Sequence, residues 1–558
     1  MNQTGVDLLG PNYRAAASPM YRAIWESAMP LDLFAAAAEG QNPPAADASM
    51  RTTLEVLRSR REAGTLYEAD GRLADDLLCG DLARSGYWGL LVPQEHGGSG
   101  AGLRDYATFL TRVATIESSV ANLLSVHSCL GPAGVVRNFG DDDQKRRWLP
   151  LLARGDRLGV FCLTEPAAGS DLTAMATEAK LAGDAYRVTG EKVFITNLAP
   201  GRVAAIVCRV EGQPAVLVAQ LPDTNTSEVT FFDYGIHAAR RSGNRGMRLR
   251  DFAVPRRDLI VPSRGDGLTI AYHGLNQGRM SVCAVAAGTL RRLLASLLPW
   301  VRSRRTYGEA IGARELVQRR IGRLASLIVG CDALAAWSAT LLDRGYRGEL
   351  ECMVAKIFAG EALKEAAIEI GLRTFGGRTF LHGNPIGDSL HDLLAPCIYE
   401  GENELLSLGL LHALAKPQPS AELNAEPPSE EAKRPDAWSE LIEQATRGLR
   451  QTGARLKSAA EQGDRRWLAE QCEVLALSRS VQQWTTVLCV SQHARRLHDA
   501  VSQAACLGLA ESLLREASGL AREPGSASAQ VELGKRIVEG GWAELDGVVV
   551  DALLDPIS

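Results

Sequence analysis

The run CIYEGENEL, residues 397–405, sets three carboxylates, Glu400, Glu402 and Glu404, directly behind the apolar pair Ile398–Tyr399. Acid clusters are ordinarily solvated, because Asp and Glu are rarely buried. Here the approach is Pro396, Cys397, Ile398 and Tyr399 rather than polar chain. A carboxylate carried into apolar surroundings holds its proton more tightly and becomes competent to remove a weakly acidic C–H proton. Glu400 is therefore the candidate base, with a solvated loop as the alternative. A second run, FCLTEPAAGSD (161–171), leaves an apolar stretch and turns at Pro166 and Gly169, presenting Thr164, Ser170 and backbone amides. Small residues and unhindered N–H groups suit a flat, hydrogen-bonding ring lying close to the backbone. A plain polar turn fits the same letters.

The chain that must position these residues has 558 of them, enough for two to four packed units. It is 46% hydrophobic and 23% charged, an ordinary globular composition. A net charge of −5 leaves no basic surplus, so no nucleic-acid or anionic-membrane partner is expected. Only nine of the 61 basic residues are Lys, which with the Ala-rich text points to a GC-rich bacterial genome. The eleven cysteines form no CxxC and have no His at ligand spacing. They read as reduced thiols of a cytoplasmic protein, with no metal site. The N-terminus, MNQTGVDLLGPNYRAAASPM, lacks a basic start followed by an apolar core, so no secretory signal is expected. No window approaches 18 uninterrupted apolar residues, and no membrane span is expected.

Along the chain, an N-terminal extension (1–50) precedes a helical region (51–158), broken by the Gly-rich VPQEHGGSGAG (92–102). That stretch lacks the Gly-Lys-Ser/Thr ending of a phosphate cradle and reads as a turn. Short β-rich runs follow at 185–197, 203–210, 214–221, 229–235 and 247–255, giving a β-domain over 159–262. Helices return over 263–415. Val317, Ile321, Leu324, Ile328, Cys331 and Ala335 are spaced alternately four and three apart, as on the inner face of a bundle helix. A Pro-, Ser- and Glu-rich linker (416–437) then leads to a last helical block, 438–558. The fold class is α+β.

FCLTEPAAGSD, GEKVFITN (190–197), LNQGR (275–279), RRTYG (304–308), FGG (375–377) and IYEGEN (398–403) stand in one order and at consistent separations. In this the sequence resembles the acyl-CoA dehydrogenase family from about residue 80 to 415, and its long tail is most similar to that of the very-long-chain subgroup. The resemblance implies an N-terminal helical domain, a central β-barrel domain and a C-terminal helical bundle, followed here by an extra helical domain. It implies FAD as cofactor and desaturation of an acyl-CoA thioester between its α and β carbons. Glu400 matches the base that takes the α-proton, between Tyr399 and Gly401, which with Asn276, Arg279 and Ser170 would contact substrate. Phe161, Leu163, Thr164, Gly169 and Ser170 would line the flavin, and Phe194, Ile195 and Thr196 would lie against its ring. Arg304, Thr306 and Tyr307, together with Arg373, Phe375, Gly376 and Gly377, would reach the diphosphate and adenosine of FAD held by a neighbouring subunit of a homodimer. Leu123, Leu124 and His127 are expected near the end of the acyl pocket. An electron-transfer flavoprotein is the implied electron acceptor. Some family members carry the base just before the Arg of LNQGR; that position here is Gly278, which has no side chain to act.

Three letters depart from the family pattern. Arg373 stands where Gln is usual, His391 replaces an Arg before Asp392, and Glu402, taken by position as a cofactor-binding residue, stands where a hydroxyl often serves the flavin. YEGEN is also the form found in acyl-CoA oxidases, which pass electrons to oxygen. An oxidase, or a dehydrogenase of a carrier-protein-bound acyl group, therefore remains the alternative enzyme reading. A non-catalytic scaffold, binding partners through its tail, is the alternative of another class.

Overall fold

A computed structural model describes residues 18–26, 29–40, 42–416, 436–461, 469–519 and 526–551. The expected linker lies, except for its terminal residues, outside that set, as does the sequence expected to lack a signal. The chain divides into two compact units: one spans residues 39–281, and the other joins the residues before Glu39 to those from Val282 onward.

In the first unit, helices α1 (Pro44–Glu62), α2 (Leu103–Ala114), α3 (Ser118–Ser125), α4 (Pro132–Phe139) and α5 (Asp142–Ala153) precede the strands. Helix α5 starts on a reciprocal cap, Asp141 accepting from the Gln144 N–H while the Gln144 side chain accepts from the Asp141 N–H. The Gly-rich stretch is a turn, as its composition indicates. A Cβ at Gly98 would lie 2.1 Å from the Val92 carbonyl oxygen, so only glycine permits that approach.

The strands are β1 (Gly159–Cys162), β2 (Glu178–Ala182), β3 (Ala185–Ile195), β4 (Val203–Val210), β5 (Gln213–Gln220), β6 (Val229–Phe232), β7 (Arg245–Pro255) and β8 (Leu259–Ile260). The barrel implied by the resemblance takes the form of an eight-stranded sheet running β6-β7-β3-β2-β4-β5-β8, with β1 beside β4. Strands β3–β7 match the β-rich runs; β1, β2 and β8 lie outside them. Val160, Cys162, Val188, Ile206, Cys208, Leu217, Met247 and Val254 fill the sheet core.

The second unit is helical. Helix α6 (Gly267–Ser303) enters it from the first, followed by α7 (Glu315–Asp343), α8 (Glu349–Glu365) and α9 (Asn403–Leu414). The stripe Val317–Ile321–Leu324–Ile328–Cys331–Ala335 is buried throughout. The tail contributes α10 (Ser439–Glu461), α11 (Gln471–Ala494), α12 (Ala500–Ala517) and α13 (Ser526–Gly540). It packs on the bundle and belongs to the same unit, not to a separate tethered body. Helices α7 and α13 cross where a Cβ at Gly322 would meet the Gln530 carbonyl oxygen at 2.0 Å and one at Gly534 the Gln318 oxygen at 1.7 Å.

The expected N-terminal extension is not an appendage. Its short helix Pro19–Trp25 and the following turn dock on the bundle, Trp25 Nε1 donating to the Leu414 carbonyl at 2.9 Å. Trp337 Nε1 donates to the Leu33 carbonyl at 2.7 Å, and its ring stacks on Phe34. No disulfide joins any of the eleven cysteines. Among the described residues, three helical runs, Ser118–Phe139, Gly267–Ser303 and Glu315–Asp343, are by length and composition alone apolar enough to cross a membrane, and 89–94% of each most apolar stretch is buried within the protein.

Candidate active site

In the first unit, the TEPAAGSD turn is built on a buried ion pair. Lys192 Nζ, on β3, donates to Glu165 Oε1 at 2.7 Å and to the Leu163 carbonyl at 2.9 Å. Glu165 also accepts from the Ala176 and Thr177 N–H groups at 2.6 and 3.1 Å. Burial draws the Lys192 ammonium below its usual range against the pull of Glu165. Burial pushes Glu165 up, but Lys192 together with the Thr177 and Ala176 hydrogen bonds outweighs it and the carboxyl ends below the usual range. The pair locks the turn to the strand beside it. Phe161 and Thr164 are left half-buried, with Ser170 exposed. Around Gly169, nothing lies within 4 Å of where a Cβ would stand.

At the end of β3 the register with β7 shifts between Lys192 and Ile195, and Phe194 adopts φ +58°. A bulky residue in the left-handed region is a genuine outlier. Its N–H donates to Tyr234 Oη at 2.7 Å; Tyr234 in turn donates to Asn244 Oδ1 at 2.6 Å, and Asn244 Nδ2 donates to Thr196 Oγ1 at 3.3 Å. This network holds Phe194 in place with 57% of its surface exposed. Ile195 corrects the expectation of ring contact, since its side chain is 2% exposed and lies in the sheet core. Leu163 is likewise buried.

Asn276 and Arg279, on the first part of α6, are both buried, with Arg279 Nη1 donating to Asn276 Oδ1 at 3.2 Å. Leu123 and Leu124 are buried in the helical layer. His127 serves the fold. Its Nδ1 accepts from the Gly159 N–H at 2.9 Å and its Nε2 donates to the Leu152 carbonyl at 3.2 Å, so the ring is neutral. Burial lowers its pKa from 6.5 to about 4. The unfolded chain then binds more protons between those values, so this stabilisation is complete above pH 6.5 and is lost as pH falls through 4. Between pH 7 and 4.5 the loss should be about 2.5 kcal/mol. Urea melts at the two pH values should show a smaller acid loss for His127→Gln than for wild type; equal losses would refute this.

In the second unit, Glu400 is half-buried between exposed Ile398 and Tyr399 and a turn of unusual backbone. Glu400 has φ +57° and Gly401 φ +106°; a Cβ at Gly401 would lie 2.7 Å from Leu406 Cδ2. Glu402 departs from the expected cofactor role: its Oε2 caps α9, accepting from the Glu404 and Leu405 N–H groups at 3.0 and 2.9 Å. A carboxylate at a helix N-terminus is favoured by the partial positive charge there.

A cationic face lies elsewhere in this unit. The Trp300 ring carries the Arg304 and Arg378 guanidiniums at 5.8 and 5.2 Å, and its Nε1 donates to the Thr374 carbonyl at 2.9 Å. Arg320, lowered by burial and by Arg373 and Arg319, donates to the Arg373 carbonyl at 3.3 Å. Arg373 pairs with Glu369 at 3.0 Å on the surface. Tyr307 stands 97% exposed at the tip of a two-stranded hairpin, whose Thr306 carbonyl accepts from Arg314 at 2.7 Å. Gly376 and Gly377 leave open space where a Cβ would lie, whereas Phe375 turns inward against Trp300 and is 3% exposed, contrary to its expected ligand contact. Lys192, Glu165 and Trp300 had no distinguishing signal in the sequence beyond lying in or beside the quoted motifs.

Models of the acyl-CoA dehydrogenase N-terminal, middle and C-terminal domains match residues 55–156, 160–254 and 265–414. An acyl-CoA dehydrogenase of Bacillus subtilis is 30% identical over 331 residues, covering 59% of this chain and 86% of that protein. The mitochondrial very long-chain specific acyl-CoA dehydrogenase of Mus musculus is 28% identical over 60% of this chain, which spans about half (52%) of that relative's length. Among solved structures, the acyl-CoA dehydrogenase from Bacillus anthracis complexed with FAD superimposes with a TM-score of 0.76 at 19% identity. It covers 93% of this chain and 98% of its own, so the tail-bearing fold is shared. The chain belongs to the acyl-CoA dehydrogenase family.

Proposed function

We propose that the protein uses FAD to desaturate an acyl-CoA thioester to the trans-2-enoyl-CoA, with Glu400 as the base that takes the α-proton. The observation that carries this reading is Glu400 itself: a half-buried carboxylate kept at φ +57° beside a glycine that admits no Cβ. Such strain costs about 1–3 kcal/mol and clusters at functional sites. The Glu400 backbone N–H would stabilise negative charge developing on the thioester oxygen as the α-proton leaves.

The residues present fit FAD. Phe161, Thr164, Gly169, Ser170, Phe194 and Thr196, none of them buried, would offer a flat ring aromatic and polar contacts. Arg304, Arg373, Thr306, Tyr307 and the open backbone at Gly376–Gly377 suit a diphosphate and adenosine, reached across a homodimer. Bound there, FAD would supply the acceptor for the hydride leaving the β-carbon. Asn276 and Arg279, buried and joined to each other, would contact the substrate, as the resemblance implies.

Purified protein should be yellow and should reduce a dye acceptor when given acyl-CoAs of the right chain length. With oxygen alone, turnover should be slow, because FCLTEPAAGSD is the dehydrogenase form; an electron-transfer flavoprotein would serve as the physiological acceptor. Rapid, stoichiometric peroxide formation would overturn that assignment in favour of an oxidase. A colourless protein inert across the acyl-CoA series would favour the scaffold reading.

A further inference from the structure

The turn that carries Glu400 rests on a buried ammonium. Lys356, on α8, is fully buried, which is unusual for lysine. Its Nζ donates to the Gly401 carbonyl oxygen and, at 2.8 Å, to Asn403 Oδ1. Asn403 Nδ2 passes the connection on to Glu361 Oε1 at 2.9 Å, and Glu361 pairs with Lys364. Between the two anchors, at Gly360, a Cβ would meet Asn403 Nδ2 and the Pro396 carbonyl oxygen at 3.0 Å. Cys397 Sγ reaches the Gly360 carbonyl oxygen at 3.4 Å. One face of α8, from Lys356 through Gly360 to Glu361, is thus the bed on which residues 396–403 lie.

The bed answers a specific need. Two successive left-handed residues, Glu400 and Gly401, are an unfavourable backbone for a glutamate, and a short loop holding them relaxes unless its peptide planes are fixed from outside. The entry to the turn is fixed by the Ile398 and Tyr399 N–H groups donating to the Ala395 carbonyl at 2.9 and 3.2 Å. The exit is fixed by the Glu402 cap. Lys356 grips the peptide plane between them, one bond beyond the base residue.

We propose that Lys356 is a positioning residue for proton abstraction, acting through the Gly401 carbonyl to hold Glu400 in its reactive backbone conformation. This rests on Glu400 being the base. Misplacing a reacting group by about 1 Å can cost about 100-fold in rate. The full-length, FAD-loaded Lys356→Met enzyme is therefore expected to lose about 10- to 100-fold in kcat, with KM and the 450 nm flavin absorbance within about twofold of wild type. Lys356→Gln, which still donates to the Gly401 oxygen, should recover most of the rate. If Lys356→Met does not fold, Gly360→Ala provides the second arm. Its added methyl displaces Asn403 and Pro396 without touching the charge, and it should show the same kcat-selective loss.

Unchanged kcat in Lys356→Met would overturn the proposal. So would a loss that Lys356→Gln shares in full, or one that tracks flavin content and melting temperature, since these mark a purely structural role. Glu400→Gln, measured beside them, separates the two readings. An inactive Glu400→Gln with a fully active Lys356→Met removes only this inference, whereas an active Glu400→Gln removes the base and this inference with it.

Discussion

Glu400→Gln should keep the fold and its flavin while desaturation falls by about 100- to 10,000-fold, the usual worth of a positioned general base. The change is nearly isosteric, so the left-handed turn at residues 400–401 and the Glu402 cap on α9 should survive it. What is lost is the only function a carboxylate has that an amide lacks here, acceptance of a proton. No substitute stands at the other position some relatives use, because residue 278 is glycine. Dye-reduction rates across the active chain lengths, with circular dichroism and the flavin spectrum as controls for folding, decide the matter. Turnover near the wild-type rate would remove Glu400 from the base role.

Removing the tail, residues 420–558, should convert a well-behaved protein into one that associates or aggregates. The tail is fastened to the bundle at several points. Gly322 and Gly534 bring the backbones of α7 and α13 into contact, and a Cβ at Gly330 would meet Leu509 of α12 at 2.7 Å. Ser478 Oγ on α11 donates to the Ser407 carbonyl at 2.6 Å, and Gln482 Nε2 to Ser407 Oγ at 3.0 Å, so α11 grips the helix that follows the Glu400 turn. Arg291 is bidentate on Asp332 at 2.8 and 2.7 Å and also reaches Glu544; Arg292 is bidentate on Asp551 at 2.9 and 2.6 Å. Val481, Val487, Leu488, Leu509 and Leu514, all buried, would go with the tail and leave the bundle surface they cover bare. Exposed apolar patches of this kind drive association. In the full-length protein, Gly534→Leu should have a milder version of the effect, costing about 1–3 kcal/mol by overpacking, read as a fall in melting temperature. We expect full-length protein to be a homodimer by light scattering, the tail covering the surface through which shorter relatives pair dimers. A stable full-length tetramer, or a truncated protein that stays a soluble dimer of unchanged activity, would defeat this account of the tail.

By itself the sequence determined the family and the order helices–sheet–helices–helices, and it singled out Glu400 as the candidate base. Those are carried by local letters: β-rich runs between turn residues, a four-and-three apolar stripe on α7, and six motifs in fixed order. Only the tertiary structure decided which of those letters face outward. Period-two alternation alone cannot place Phe194 and Ile195, because a register shift against β7 breaks the alternation between them and leaves one exposed and the other in the core. Phe375 turns inward because Trp300, 75 positions earlier in the chain, offers it a ring. Glu402 reads as a ligand-facing acid in sequence, yet the helix beginning at Asn403 claims its carboxylate. Lys356 and Lys192 look like ordinary surface charges in their own segments. Each is buried against a loop far along the chain, Gly401 in one case and Glu165 in the other, and long-range pairing of that kind leaves no periodic trace for a sequence to show.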